Sequence, residues 1–419
     1  MPKKLKLKSE FSRNVLTLMT GTTIAQTIPI AISPILTRIY TPEDFGVFAL
    51  YMSIASMVAV VATGRYELAI MLPKKDEDAI QLVMLSILIA VCISFIIFLI
   101  VFILNKEITN MLGNPKISNW LYFVPLTVLL TGIYQSLNYW NNRNKEYKNL
   151  AISRVADTST NATVNLLGIF FKIGASGLIL GSIIGKIVGI FSLQRSRNMT
   201  TPVLYRKLKM IALARKYKKF PLINSLHAFI NILKNNLVTI YISIKYTSSI
   251  LGFYYFVLRI MQLPSSILGG SLAQVFYKQA SVIYNNKKDI QIQVKHLIGT
   301  LALLAIIPAI ILFFYSEELF VFVFGEDWIT SGKYAKAIIP YIFFHFIASP
   351  LGMVPLITNL QDQAFYWGIA ESILFVLSFV IGFYLFGDLH YTLFLLSIVF
   401  CIYFPIYFIW IYNISKGKK

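Results

Sequence analysis

Residues 79–104 read AIQLVMLSILIAVCISFIIFLIVFIL, a run without one charged side chain. A helix that crosses a bilayer needs about 20 mostly apolar residues, and this run exceeds that. It is also too long and too evenly apolar for barrel strands, which read as short alternating segments. Charges bracket it, Lys74-Lys75-Asp76-Glu77-Asp78 before and Lys106-Glu107 after. Working outward, eleven further windows meet the same test: about 14–36, 45–64, 119–139, 150–171, 175–193, 221–243, 249–271, 296–315, 334–357, 363–386 and 389–412. The chain of 419 residues is 57% hydrophobic and 13% charged, against roughly a quarter charged in soluble domains. An ordinary cytosolic enzyme, a disulfide scaffold and a disordered tail are excluded together. The expectation is an all-α polytopic membrane protein with twelve transmembrane helices.

The charge is lopsided, 38 Lys+Arg against 18 Asp+Glu. In such a chain the excess reports topology and implies no nucleic acid partner. Every second connection is basic, and nine Lys and Arg crowd 195–219. The positive-inside rule then puts both termini in the cytoplasm. The basic opening, MPKKLKLKSEFSR, resembles a signal n-region but leads into a long segment with Thr and Pro, read as a retained first span. Cys92 and Cys401 lie in apolar runs and read as buried small hydrophobes with no disulfide or metal role.

A repeat divides the chain. Tyr40-Thr41 followed by Phe45-Gly46-Val47-Phe48 recurs 206 residues later as Tyr246-Thr247 followed by Leu251-Gly252-Phe253-Tyr254. The expected organisation is an N-terminal six-helix lobe (1–194), a basic cytoplasmic linker (195–220) and a C-terminal six-helix lobe (221–419). Both halves enter from the same side, so their pseudo-axis runs along the membrane normal. Gly177, Gly181, Gly185 and Gly189 form a stripe for close helix packing.

Charges at membrane depth cost about 2.5–3.5 kcal/mol on insertion scales, so they normally face a cavity or a partner. Lys186, Lys234 and Arg259 are the cations nearest span centres. Asn224, His227, Asn231 and Lys234 share one helical face, as do Tyr255, Arg259 and Gln262. Such stripes suit a water-filled lumen, or pairing inside the bundle. Arg154 lies one turn from Asp157, a local ion pair or part of a site. Arg38 and Arg65 complete the cations considered for the passage; Arg65 and Glu67 end the second span, where snorkelling also accounts for them. Glu371, halfway along its span, either takes up a proton or neutralises a cation. Prolines 29, 34, 264, 340, 350 and 355 fall within spans and kink helices.

No P-loop is present, and no histidine pair has metal-ligand spacing, so no cofactor, metal or catalytic residue is expected. Glu43-Asp44 offers an acidic pair to a membrane glycosyltransferase or polymerase, but the connections are too short for the external domain such enzymes carry. A drug or cation antiporter is a further alternative, disfavoured because intramembrane cations repel a cationic cargo.

Leu36-Thr37-Arg38-Ile39-Tyr40-Thr41-Pro42-Glu43-Asp44-Phe45-Gly46 and Gly64-Arg65-Tyr66-Glu67-Leu68-Ala69-Ile70 resemble the opening of Wzx-type polysaccharide repeat-unit flippases. So do Tyr139-Trp140-Asn141-Asn142-Arg143 with Ser153-Arg154, and Leu251-Gly252-Phe253-Tyr254 through Arg259-Ile260. These proteins belong to the multidrug/oligosaccharidyl-lipid/polysaccharide (MOP) exporter superfamily. The resemblance implies two six-helix lobes around a cationic cavity that opens alternately to each side. It implies an undecaprenyl-diphosphate-linked oligosaccharide as cargo, flipped across the bacterial inner membrane for O-antigen or capsule assembly. A polysaccharide polymerase and chain-length regulator would be partners of a monomeric transport unit. If an ion gradient drives it, Glu371 or Asp157 would couple the ion.

Overall fold

The computed structural model describes residues 2–171, 174–194, 206–265, 269–286 and 288–416. Among them every regular element is helical. The principal helices are α1 (Pro2–Ile39), α2 (Pro42–Ala59), α3 (Asp76–Met111), α4 (Val124–Arg143), α5 (Tyr147–Phe171), α6 (Ala175–Gln194) and α7 (Lys207–Lys216). They continue as α8 (Ser225–Lys245), α9 (Ser248–Met261), α10 (Gly270–Asn285), α11 (Gln291–Phe324), α12 (Ile329–Leu351), α13 (Gln361–Phe386) and α14 (Leu389–Ile414). Two compact units result, Met1–Gly252 and Phe253–Lys419.

Six described helices are long and apolar enough to cross a membrane, or seven if the pair Pro115–Leu121 and Val124–Arg143, bent by 50°, counts as one span. In a soluble core a helix is apolar because it is buried. Here only 17% of the apolar window of α3 and 6% of that of α11 is buried. Phe102, Ile103, Leu303 and Ile307 are all exposed, which suits a hydrocarbon solvent. Cys92 is exposed too, because it rides on the outward face of α3. The run that decided the fold is helical throughout and kinks at Leu104, its last apolar residue.

The window 249–271 does not form one helix. α9 ends at Met261, next to Pro264 with its missing N–H donor, and α10 starts separately at Gly270, an element that hydropathy does not announce. The polar connection before α8 is also more ordered than its composition suggests. α7 packs Met210 and Leu213 against Tyr66, Ile70, Leu82 and Trp140. Lys209 Nζ lies 2.6 Å from Asp78 Oδ1, and the Tyr66 hydroxyl donates to the Ala214 carbonyl at 3.0 Å. Only residues 217–224 then separate α7 from α8, and Phe220–Asn224 are a π-helical turn carrying Pro221. Residues 195–205 of the expected linker lie outside the described residues.

The repeat has a local structural cause. Thr41 caps α2 by accepting from Asp44 N, and Asp44 returns a bond to the cap. Thr247 caps α9 the same way, accepting from Ile250 N at 3.3 Å, the same 206-residue offset. The glycines of the two copies then meet reciprocally. A methyl at Gly46 would overlap the Ser248 carbonyl, and one at Gly252 would overlap the Pro42 carbonyl. Tyr40 wedges between α5 and α6, donating to the Asn165 carbonyl at 2.7 Å where Gly168 and Gly177 leave room for its ring.

After α2 the chain turns through Gly64 and Arg65, both left-handed (φ 57° and 58°), a conformation costly for arginine. This turn buries Glu67 rather than letting it snorkel: the residue is 1% exposed. Its carboxylate accepts from the Thr63 hydroxyl and lies 3.5 Å from the Arg65 guanidinium. Burial outweighs both partners and raises its pKa from the ordinary glutamate value. The folded state therefore keeps its proton to higher pH than the unfolded chain does, so stability falls as pH rises from the ordinary glutamate value through the raised one. Glu67→Gln is expected to flatten this slope, and melting curves of both proteins between pH 5 and 8 check it. Parallel slopes would refute the assignment.

Candidate functional site

In the first unit the polar faces of α5 and α6 are brought together by the glycine stripe. A Cβ at Gly185 would sit 2.6 Å from the Asp157 carbonyl, and one at Gly189 would press on Asp157 and Tyr134. That approach seats Lys186 Nζ 2.6 Å from Asp157 Oδ2, with the ammonium 4.3 Å from the centre of the Tyr134 ring. The lysine and the aspartate, which the sequence assigns to different tasks, thus form one ion pair. Arg154 turns away from Asp157 and donates to the Thr22 hydroxyl on α1. Arg38 is exposed in the last turn of α1, and Arg65 faces Glu67.

α8 is fastened to α2 through Asn236, whose side chain donates to Ser56 Oγ at 3.1 Å and whose carbonyl accepts from Ser53 at 3.3 Å. Lys234 is two residues earlier, about 200° around the helix at 3.6 residues per turn, so its half-buried side chain points away from α2. Asn224 falls inside the π turn, which takes it out of the α-helical register that the stripe assumes. The side chains of His227 and Asn231 lie outside the described residues.

In the second unit α9 buries Phe256 against Trp328 (ring centres 4.4 Å apart) and Phe324 (4.9 Å). Arg259 follows one turn later, half-buried, with no ion pair among the described residues. Tyr255 is half-buried and Gln262 is exposed just past the helix end. Glu371 lines a cavity of about 260 Å³ with His345, Trp367, Gly368, Tyr403 and Tyr407. Sequence reasoning misses these aromatic neighbours. The spacing from Trp367 to Glu371, and from Tyr403 to Tyr407, is one helical turn and carries the signal that could have found them.

The acidic pair Glu43-Asp44 is engaged structurally. Asp44 caps α2 and accepts from Ala175 N at 2.8 Å, while Glu43 pairs with Lys116 at 2.8 Å. Among the described residues no cluster of three His, Cys, Asp or Glu side chains is placed to hold a metal ion.

A family model described as "Polysaccharide biosynthesis protein" matches residues 35–333. No curated protein matches the chain. Solved structures do. An inward-facing multidrug resistance MATE family transporter of the MOP superfamily aligns with TM-score 0.73 at 11% identity, over 96% of this chain and all of that one. The lipid II flippase MurJ in an inward closed conformation aligns with TM-score 0.73 at 16% identity, over 94% of this chain and 87% of that one. The MATE multidrug transporter DinF-BH aligns with TM-score 0.66 at 16% identity, covering 95% of this chain and 94% of that one. At these identities the likeness establishes a MOP-type fold.

Proposed function

The chain belongs to the polysaccharide biosynthesis protein family, and on that premise we propose that it is a lipid-linked oligosaccharide flippase. Its cargo is an undecaprenyl-diphosphate-linked repeat unit, carried across the bacterial inner membrane by alternating access for O-antigen or capsule assembly. Twelve spans in two lobes, 1–194 and 221–419, joined by the basic linker with both termini inside, are part of this reading. A polymerase and chain-length regulator take the product.

One observation carries the proposal: Arg259 is half-buried on an apolar helix, without a carboxylate partner among the described residues. A cation held at membrane depth is costly unless an anion visits it, and a diphosphate head group is such an anion. Lys234 serves the same group, and the prenyl tail stays in the bilayer. Lys186 and Arg154 are further contacts, with Asn224, His227, Asn231, Tyr255 and Gln262 wetting the passage, and Arg38 and Arg65 at its ends. Lys186 reaches the diphosphate by leaving Asp157, which then accepts the coupling ion; this exchange links cargo to gradient without a separate device.

The test is reconstitution of the purified protein in vesicles loaded on one leaflet with a fluorescent undecaprenyl-diphosphate disaccharide. Appearance of label in the other leaflet is expected to be at least tenfold faster than in protein-free vesicles. Equal rates, with or without an imposed ion gradient, would overturn the reading.

A further inference from the structure

The cavity around Glu371 is left unused by the diphosphate passage. We infer that it is a subsite for one sugar ring of the cargo's glycan head, built from Glu371, Trp367, Tyr403 and Tyr407. This rests on the flippase reading and extends it from the diphosphate to the carbohydrate.

The chemistry of the walls selects the ligand. Tyr403 and Tyr407 stand one turn apart on α14 with rings 7° from parallel, and Trp367 meets each at 5.6 Å. The Tyr403 hydroxyl donates to the Trp367 carbonyl at 2.9 Å, which fixes that ring. A pyranose offers the complement: C–H faces that pack on aromatic carbon and hydroxyls that donate to a carboxylate. Sites of this kind, mostly aromatic with a few placed polar groups, hold small organic ligands. The cavity, about 260 Å³, is several times the roughly 30 Å³ share of one liquid water.

A bare metal ion fits less well. Hard cations collect six or more oxygen ligands, whereas the lining of the cavity holds one carboxylate, Glu371, among mostly aromatic and small side chains. The floor is open by design of the sequence: a Cβ added at Gly368 would meet no atom within 4 Å. Gly368 lines the cavity, and a larger side chain there starts in open space without pressing on its neighbours.

The experiment measures binding to the full-length protein in nanodiscs. The probes are undecaprenyl diphosphate and the same lipid carrying N-acetylglucosamine, galactose or glucose. For at least one sugar the glycosylated lipid is expected to bind about tenfold more tightly than the bare one, the worth of one or two hydrogen bonds to a charged group. That ratio is expected to fall to about one in Gly368→Leu and in Glu371→Gln, each checked for unchanged elution and melting. A ratio of one in the wild type for all three sugars, or a ratio kept in both variants, would overturn the subsite. A sodium-dependent affinity lost only in Glu371→Gln would assign the cavity to a cation and overturn it equally. Binding of neither lipid would fell the flippase reading itself, and the subsite with it.

Discussion

Arg259→Ala is expected to abolish surface polysaccharide, and Lys234→Ala to reduce it severely, while both proteins reach the membrane in normal amount. Truncating one partner of a desolvated charge pair costs about 2–5 kcal/mol, and each 1.4 kcal/mol is tenfold. Affinity for the diphosphate head group should therefore drop by at least about 25-fold per residue. Arg259 makes no ion pair among the described residues, so its removal relieves an electrostatic cost, and the alanine variant should melt no lower than the wild type. Loss of function with stability kept distinguishes a ligand-binding arginine from a structural one. Arg259→Lys keeps the charge but loses the forked geometry and should retain part of the activity. Wild-type polysaccharide on immunoblots of both alanine variants would remove these residues from the passage.

The second large effect is steric. Gly46→Ala and Gly252→Ala each direct a methyl into a backbone oxygen of the other repeat copy, at Ser248 and Pro42. A carbonyl at a helix start cannot swing aside as a flexible side chain does, so α2 and α9 must separate. Overpacking of this kind costs about 1–3 kcal/mol, and a melting temperature lower by roughly 2–6 °C is expected for either variant. Gly299→Ala is the control, since nothing lies within 4 Å of its would-be Cβ. It should melt at or slightly above the wild type, as alanine favours helix over glycine. Equal melting of Gly46→Ala and wild type would show that the reciprocal contact contributes nothing.

Hydropathy makes the long apolar helices legible because their exposed faces need no partner in the chain: lipid supplies it, so pattern alone reports structure. α3, α13 and α14 stand close to where the sequence predicts them. The motif at 36–46 is legible as a repeat, and its physics proves to be capping by Thr41 and Thr247 and the approach of two glycines. Expectation fails where local chemistry breaks a helix. Pro264 interrupts the window 249–271, and the π turn at Pro221 shifts Asn224 out of register. The site is legible as residue types more than as partnerships. Lys186 and Asp157 are 29 positions apart, and no single-helix spacing could pair them. Glu67 reads as a snorkelling surface group because the left-handed turn at Arg65 that buries it has no signature in composition.

The docked helix α7 sets how far the start of α8 can travel. With Lys209 tied to Asp78 and Tyr66 to Ala214, the long basic connection is no slack tether. Only residues 217–224 remain between an anchored element and the helix bearing Lys234. Within them the backbone leaves the α-helical ladder twice, first through bonds three residues back from Lys218 N to the Arg215 carbonyl and from Phe220 N to the Tyr217 carbonyl, then through the wide turn at Phe220–Asn224. A tilt of α8 would therefore be taken up within residues 217–224 as an elbow around Pro221, which in the proposed passage rotates Lys234 in place more than it slides it.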